Sequence, residues 1–135
     1  MILTPHPTEF ARLAGEKPAS DPAARLAAAR AFAKESGATV LLKGSGTVVA
    51  DPTGRASVNP SGSSALAKGG TGDVLAGMLG ALLAQGMPPF AAACAAAYLH
   101  GAAGDTLAAT LSDYGVLPSE LPFATARELA RILGQ

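Results

Sequence analysis

Aromatic side chains are scarce. The 135-residue chain has no tryptophan, two tyrosines and four phenylalanines, too few for the stacking platforms that hold single-stranded nucleic acid. Net charge is missing as well. Ten Lys and Arg balance ten Asp and Glu, so there is no basic footprint for nucleic acid or an acidic membrane. Cysteine is reduced to Cys94, which excludes an internal disulfide; within its alanine run it reads as a small buried apolar side chain. No Cys/His cluster has zinc spacing, and the two histidines, His6 and His100, lie far apart in the chain. Long apolar runs are absent too. Residues 74–103 are broken at Gln85-Gly86 and Pro88-Pro89 into two stretches shorter than the ~18 residues a membrane span needs, and they read as two buried helices. No signal peptide is visible, so the expected location is the cytoplasm.

What the chain does have is apolar residues and glycine. A hydrophobic fraction of 49% is enough to build a core, and the length suits a single domain over residues 1–135. The opening "MILTPHP" predicts a strand over 2–4 stopped by prolines. "TEFARLAG" predicts a short helix ending at Gly15. Asp21 is placed as an N-cap with Pro22 at the first helical position, and Gly37 as the C-cap. Between them Leu26, Ala29, Phe32 and Ala33 share one face. Strands are expected over 39–43, 47–50 and 55–58, with "DPTG" as the turn before the last. A long loop without periodicity follows, then helices over 73–85, 89 to about 101, and 123–133, with "SDYGVLPSELP" as a surface connection. This order predicts an α/β or α+β domain, in which helix 22–36 makes a right-handed parallel crossover. A strand starting almost at Met1 is read as the loss of preceding sequence.

Two near-matches fail. "GSSALAKG" has Ala67 in place of the second P-loop glycine and Gly69 where Ser or Thr should follow the lysine, and "GTGDVL" lacks the last glycine of the dinucleotide fingerprint. A stronger signal is "LAKGGTGDVLAG". Glycines directly before a helix let the backbone approach an anion, and the helix start supplies unpaired N–H groups and partial positive charge. The amides of Gly70, Thr71, Gly72 and Asp73 form a candidate anion hole. Asp73 at its lip could take a proton from a hydroxyl during phosphoryl transfer; equally, it could be an ordinary first-turn acid favoured by the helix dipole. "LLKGSGT" ends a buried strand with Lys43 and Gly44, where open α/β sheets place ligands, although a hairpin with a solvated lysine fits as well. "TPHPTEF" sets His6 between prolines, either aimed into a cleft or as part of a stiff turn. His100 in "YLHGAAGD" reads as a structural helix residue.

Taken in order and at these spacings, "LTPHPTEF", "LLKGSGT", "NPSGSSALAKGGTGDVLAG" and "AYLHGAAGD" resemble the C-terminal half of the ADP/ATP-dependent NAD(P)H-hydrate dehydratases. The resemblance implies a partial ribokinase-like three-layer α/β fold: a mostly parallel sheet with a small hairpin and C-terminal helices. It implies a substrate that is a hydrated NADH or NADPH, phosphorylated on its ring hydroxyl by ADP (or ATP) and restored by loss of phosphate. By motif match, His6 and Asp73 contact that substrate, and Asp73 is the catalytic base. Lys43, Gly44, Ser45, Gly46, Thr47 and Gly72 line the nucleotide site, with Mg2+ arriving on the nucleotide phosphates. Thr8 stands where the family usually has glycine, but can still cap the short helix; Ser63-Ser64 replaces a common Asn-Pro. Family members carry a further stretch before the Thr-Pro-His-Pro strand, so a homo-oligomer or association with that N-terminal half is expected. Two other readings stay open: a ribokinase-like small-molecule kinase, which does not explain Thr4-Pro5-His6-Pro7, and a non-catalytic nucleotide-binding fragment of the family.

Overall fold

A computed structural model describes residues 1–135. The elements are β1 (Ile2–Leu3), α1 (Pro7–Ala14), α2 (Pro22–Ser36), β2 (Thr39–Leu42), β3 (Val48–Ala50), β4 (Ala56–Val58), α3 (Thr71–Ala84), α4 (Pro89–Gly115) and α5 (Leu121–Leu133). Two short 3-10 turns, Ser64–Leu66 and Pro118–Glu120, lie between them. None of the helices is long and apolar enough to cross a membrane. The chain divides into two units, Met1–Pro60 with Met87–Cys94, and Ser61–Gly86 with Ala95–Gln135.

The first unit holds the sheet, in the order β1-β2-β3-β4. β1 and β2 are parallel, with Ile2 opposite Thr39; α1 and α2 form the crossover between them. β2–β3 and β3–β4 are antiparallel. The expectation of a mostly parallel sheet is therefore corrected: one pairing of three is parallel. Residues 43–47 and 51–55 are too few to carry the chain back for a parallel pairing, which takes a dozen or more. The second of these connections is the expected turn, closed by the Gly54 amide on the Asp51 carbonyl at 3.1 Å. The Asp51 carboxylate is buried in it and accepts from Thr53 and Arg55. Burial opposes ionisation there, but those donors hold the carboxyl below its ordinary value.

Asp21 caps α2 as expected, accepting the Ala24 amide at 2.9 Å, and Gly37 ends it with φ 66°. Ala29 and Ala33 bury against Phe10, Val40, Leu42, Val48 and Ala50, with Leu26 and Phe32 packed at the margin. Phe10 meets Phe32 edge to face with centroids 5.3 Å apart, a favoured aromatic geometry. Every residue of β2 is buried, which explains its unbroken apolar run.

In the second unit Ala103, Leu121 and Ala124 form a core with Leu66, Val74 and Leu107. α4 runs well past residue 101, and its helical backbone breaks only at Ser112 (φ 61°, ψ 168°). Nor is the segment after it simply a surface connection, because Val116 is fully buried. Gly101 in "YLHGAAGD" has a packing role: a Cβ there would lie 2.7 Å from the Ser61 carbonyl carbon, so only glycine lets the loop press against α4.

Candidate functional site

The predicted site residues fall into two groups, one on each unit. In the first, Pro7 occupies the first position of α1 and forces the preceding residue to be extended. His6 therefore becomes the N-cap, and its Nδ1 accepts the Thr8 and Glu9 amides at 3.1 and 3.2 Å. Thr8 lies inside α1 and does not cap it, contrary to expectation. Since Nδ1 accepts, these partners place the ring proton on Nε2, which faces Glu9 Oε1 at 3.5 Å.

Glu9 escaped the reading of the sequence. It accepts the His6 amide at 2.8 Å and lies 3.7 Å from Lys43 Nζ. The His6 amide, and secondarily the Lys43 charge, hold its carboxyl below the ordinary value against partial burial. His6 and Lys43 are thus brought to one acid. The signal was the spacing of a capping box, with histidine in place of serine or threonine.

Residues 44–46 form an exposed turn, closed by Thr47 Oγ1 donating to the Gly44 carbonyl at 3.1 Å. Beneath it sits Arg25, another residue the sequence reading passed over. Its side chain is buried, its Nη2 donates to the Lys43 carbonyl at 3.2 Å, and its Nε has no partner. A Cβ on Gly44 would stand 2.8 Å from Arg25 Nη2, and Gly44 has φ 146°. Glycine at position 44 is therefore required by backbone conformation, while the guanidinium end below it would have to shift to admit a Cβ. Arg25, Ala29 and Ala33 form one buried stripe of α2; the four-residue spacing from Ala29 was the available sign.

In the second group, α3 begins at Thr71, two residues before the predicted start, so Gly72 and Asp73 lie in its first turn. Gly70 is the N-cap, with φ 93° and no side-chain cap bond. Thr71 is buried, and its Oγ1 lies 2.8 Å from the carbonyls of Leu66 and Lys68. Its amide reaches the Lys68 carbonyl at 3.4 Å, whereas the amides of Gly70, Gly72 and Asp73 find no backbone acceptor. The Asp73 side chain is exposed in that first turn. His100 is buried on α4 and donates from Nε2 to the Thr71 carbonyl at 2.9 Å. Burial lowers its pKa from 6.5, with that hydrogen bond acting the other way. Cys94 is half-buried; burial pushes its thiol pKa up, with a hydrogen bond to Ser57 opposing.

This arrangement can receive an anion. Three peptide N–H groups are unspent at a helix start, the dipole there favours negative charge, and one free carboxylate stands beside them. No cluster of three or more acidic, histidine or cysteine side chains is placed to hold a metal ion.

Comparison with known proteins gives the same direction. A family profile described as NAD(P)H-hydrate dehydratase matches residues 1–126. The ADP-dependent (S)-NAD(P)H-hydrate dehydratase of Neisseria meningitidis is 55% identical over 79% of this chain and 36% of its own length. The ADP/ATP-dependent NAD(P)H-hydrate dehydratase from Bacillus subtilis, co-crystallized with ATP/Mg2+, superposes with a TM-score of 0.90 at 39% identity, covering 96% of this chain and 47% of that one. A ribokinase-like superfamily protein from Enterococcus faecalis superposes at 0.77 with 33% identity, covering 96% and 44%. The chain therefore spans about half the length of the solved relatives it matches and little more than a third of the curated one. The α/β fold is ribokinase-like, and the chain belongs to the NAD(P)H-hydrate dehydratase family.

Proposed function

We propose that residues 1–135 are a single domain, the C-terminal portion of an ADP-dependent NAD(P)H-hydrate dehydratase that repairs hydrated NADH or NADPH. The observation that carries this reading is the open start of α3: Gly70, Gly72 and Asp73 keep unspent amides, and the Asp73 carboxylate is exposed beside them. In the proposed reaction Asp73 takes the proton of the ring hydroxyl. The hydroxyl oxygen attacks the β-phosphorus of ADP, and the bond from that phosphorus to the bridging oxygen breaks to leave AMP. The amides of Gly70, Gly72 and Asp73 hold the transferring charge, while that of Thr71, expected to join them, is turned to the Lys68 carbonyl. The carbon–oxygen bond of the resulting phosphate ester then breaks, inorganic phosphate leaves with the electron pair, and the neighbouring ring carbon loses a proton to restore the double bond.

Lys43, Gly44, Ser45, Gly46, Thr47 and Gly72 are assigned to the nucleotide, His6 and Asp73 to the hydrated cofactor. Magnesium would arrive on the nucleotide phosphates, where it offsets their charge. We also propose that the chain works with further protein, as a homo-oligomer or joined to an N-terminal half. β1 pairs only with β2, leaving one strand edge unpaired, and the relatives are longer. We assign it to the cytoplasm, where its water-soluble nucleotide substrates would be met.

The test supplies hydrated NADH, ADP and magnesium and follows the return of reduced-nicotinamide absorbance. Asp73→Asn should lower turnover by roughly 100-fold or more, the scale of a general base, while ADP binding persists. Unchanged turnover in that variant would remove Asp73 from its role. ADP binding without turnover in the wild-type chain would favour the nucleotide-binding-fragment reading, and stable phosphorylation of a small alcohol would favour a kinase.

A further inference from the structure

Lys68 stands immediately before the open start of α3, but its ammonium is not available to a ligand there. It donates to three backbone carbonyls, those of Asp113 at 2.7 Å, Tyr114 at 3.0 Å and Val116 at 2.7 Å. An ammonium has three N–H donors, and here each has its own acceptor. The acceptors are collected by the break in α4. Ser112 leaves helical conformation, so the carbonyls that follow are freed from the helical ladder and need partners. The same segment braces the loop at two more points: Ser64 Oγ hydrogen-bonds to the Asp113 carboxylate, and a Cβ on Gly70 would already be 3.4 Å from Pro118. The Lys68 carbonyl in turn receives Thr71 Oγ1 at 2.8 Å.

We propose that Lys68 is a positioning residue. The carbonyls of Asp113, Tyr114 and Val116 form a tripod for its ammonium, and this anchorage fixes the direction of the Gly70, Gly72 and Asp73 amides toward an anion. The proposal rests on the nucleotide reading above only for its anion, which is ADP. The requirement is for three directed N–H donors rather than for positive charge alone. Arginine meets it poorly, because its donors lie in a planar fork.

The experiment measures ADP binding calorimetrically and thermal unfolding for the wild-type chain, Lys68→Ala and Lys68→Arg. Lys68→Ala should bind ADP roughly tenfold or more weakly, the scale of one lost charged hydrogen bond. Methylammonium, which restores the lost donors, should return most of that affinity and raise the midpoint of the variant but not of the wild type. Tetramethylammonium at equal ionic strength, charged but without N–H, should do neither. Wild-type affinity in Lys68→Ala, or equal rescue by both cations, would overturn the proposal. If Lys68→Ala does not fold, Lys68→Arg decides: wild-type ADP affinity there would overturn it, and a loss would support it. If the wild-type chain itself binds no ADP, the nucleotide reading has failed; selective methylammonium stabilisation of Lys68→Ala would still support the tripod, and its absence would overturn it.

Discussion

Lys43-Gly44 and Lys68-Gly69 are the same dipeptide, each opening a glycine-rich turn, and the fold uses their parts in opposite ways. At the first, the lysine is loosely engaged: its ammonium is 3.7 Å from Glu9, with both side chains partly exposed. The glycine is the constrained member, held by φ 146° above the Arg25 guanidinium. At the second, the lysine is locked on three carbonyls, whereas nothing lies within 4 Å of a Cβ built on Gly69. In both places a cation from another segment or from the turn itself satisfies backbone carbonyls rather than an acid. The comparison teaches that a Lys-Gly pair does not reveal which of its two residues is indispensable; the carbonyls around it decide.

The largest effect that could break this contrast lies with the lysines. Lys68→Met should lower unfolding free energy by about 2–3 kcal/mol, since it strips a charged donor from two part-buried carbonyls and one exposed carbonyl. Urea denaturation would report it, and a change under 0.5 kcal/mol would dissolve the distinction. Next come the glycines. Gly44→Ala should destabilise by about 1–2 kcal/mol, chiefly from a positive φ, while Gly69→Ala should stay within about 0.5 kcal/mol; equal penalties would mean that the two turns are not built differently.

A pH titration sharpens the comparison further. His100, which holds Thr71 behind the second turn, has its pKa depressed on folding. The unfolded chain therefore takes up its proton first as pH falls. This contribution to stability is complete above about 6.5, the unfolded value, and is lost as the pH drops through the folded one. The slope should not exceed about 1.4 kcal/mol per pH unit for this one group, and His100→Gln should flatten it. The smallest effect is expected of Lys43→Met, within about 1 kcal/mol, as for an exposed ion pair.

What was legible in the sequence was local. Asp21-Pro22 and Gly37 bound a helix because capping depends on neighbours along the chain, and "DPTG" makes its turn for the same reason. His6 as a cap was missed because imidazole seldom takes that place; Pro7 was the residue that should have directed attention to it. The strand directions follow from connection length, which the sequence shows, yet the expectation of a mostly parallel sheet came from the resemblance to longer proteins. Arg25 and Lys68 were beyond reach for another reason. Their partners lie 18 and 45 to 48 residues away, and nothing in a one-dimensional pattern marks a backbone carbonyl as unsatisfied. The glycines and Asp73 of the candidate site were visible, whereas the side chains that hold its backbone in place were not.

Ser112 carries a consequence for engineering. It has φ 61° and ψ 168°, a region open almost only to glycine and charged at about 1–3 kcal/mol for other residues. A serine there keeps a spring wound inside the longest helix, and Ser112→Gly offers a way to relax it without changing any residue assigned to the candidate site.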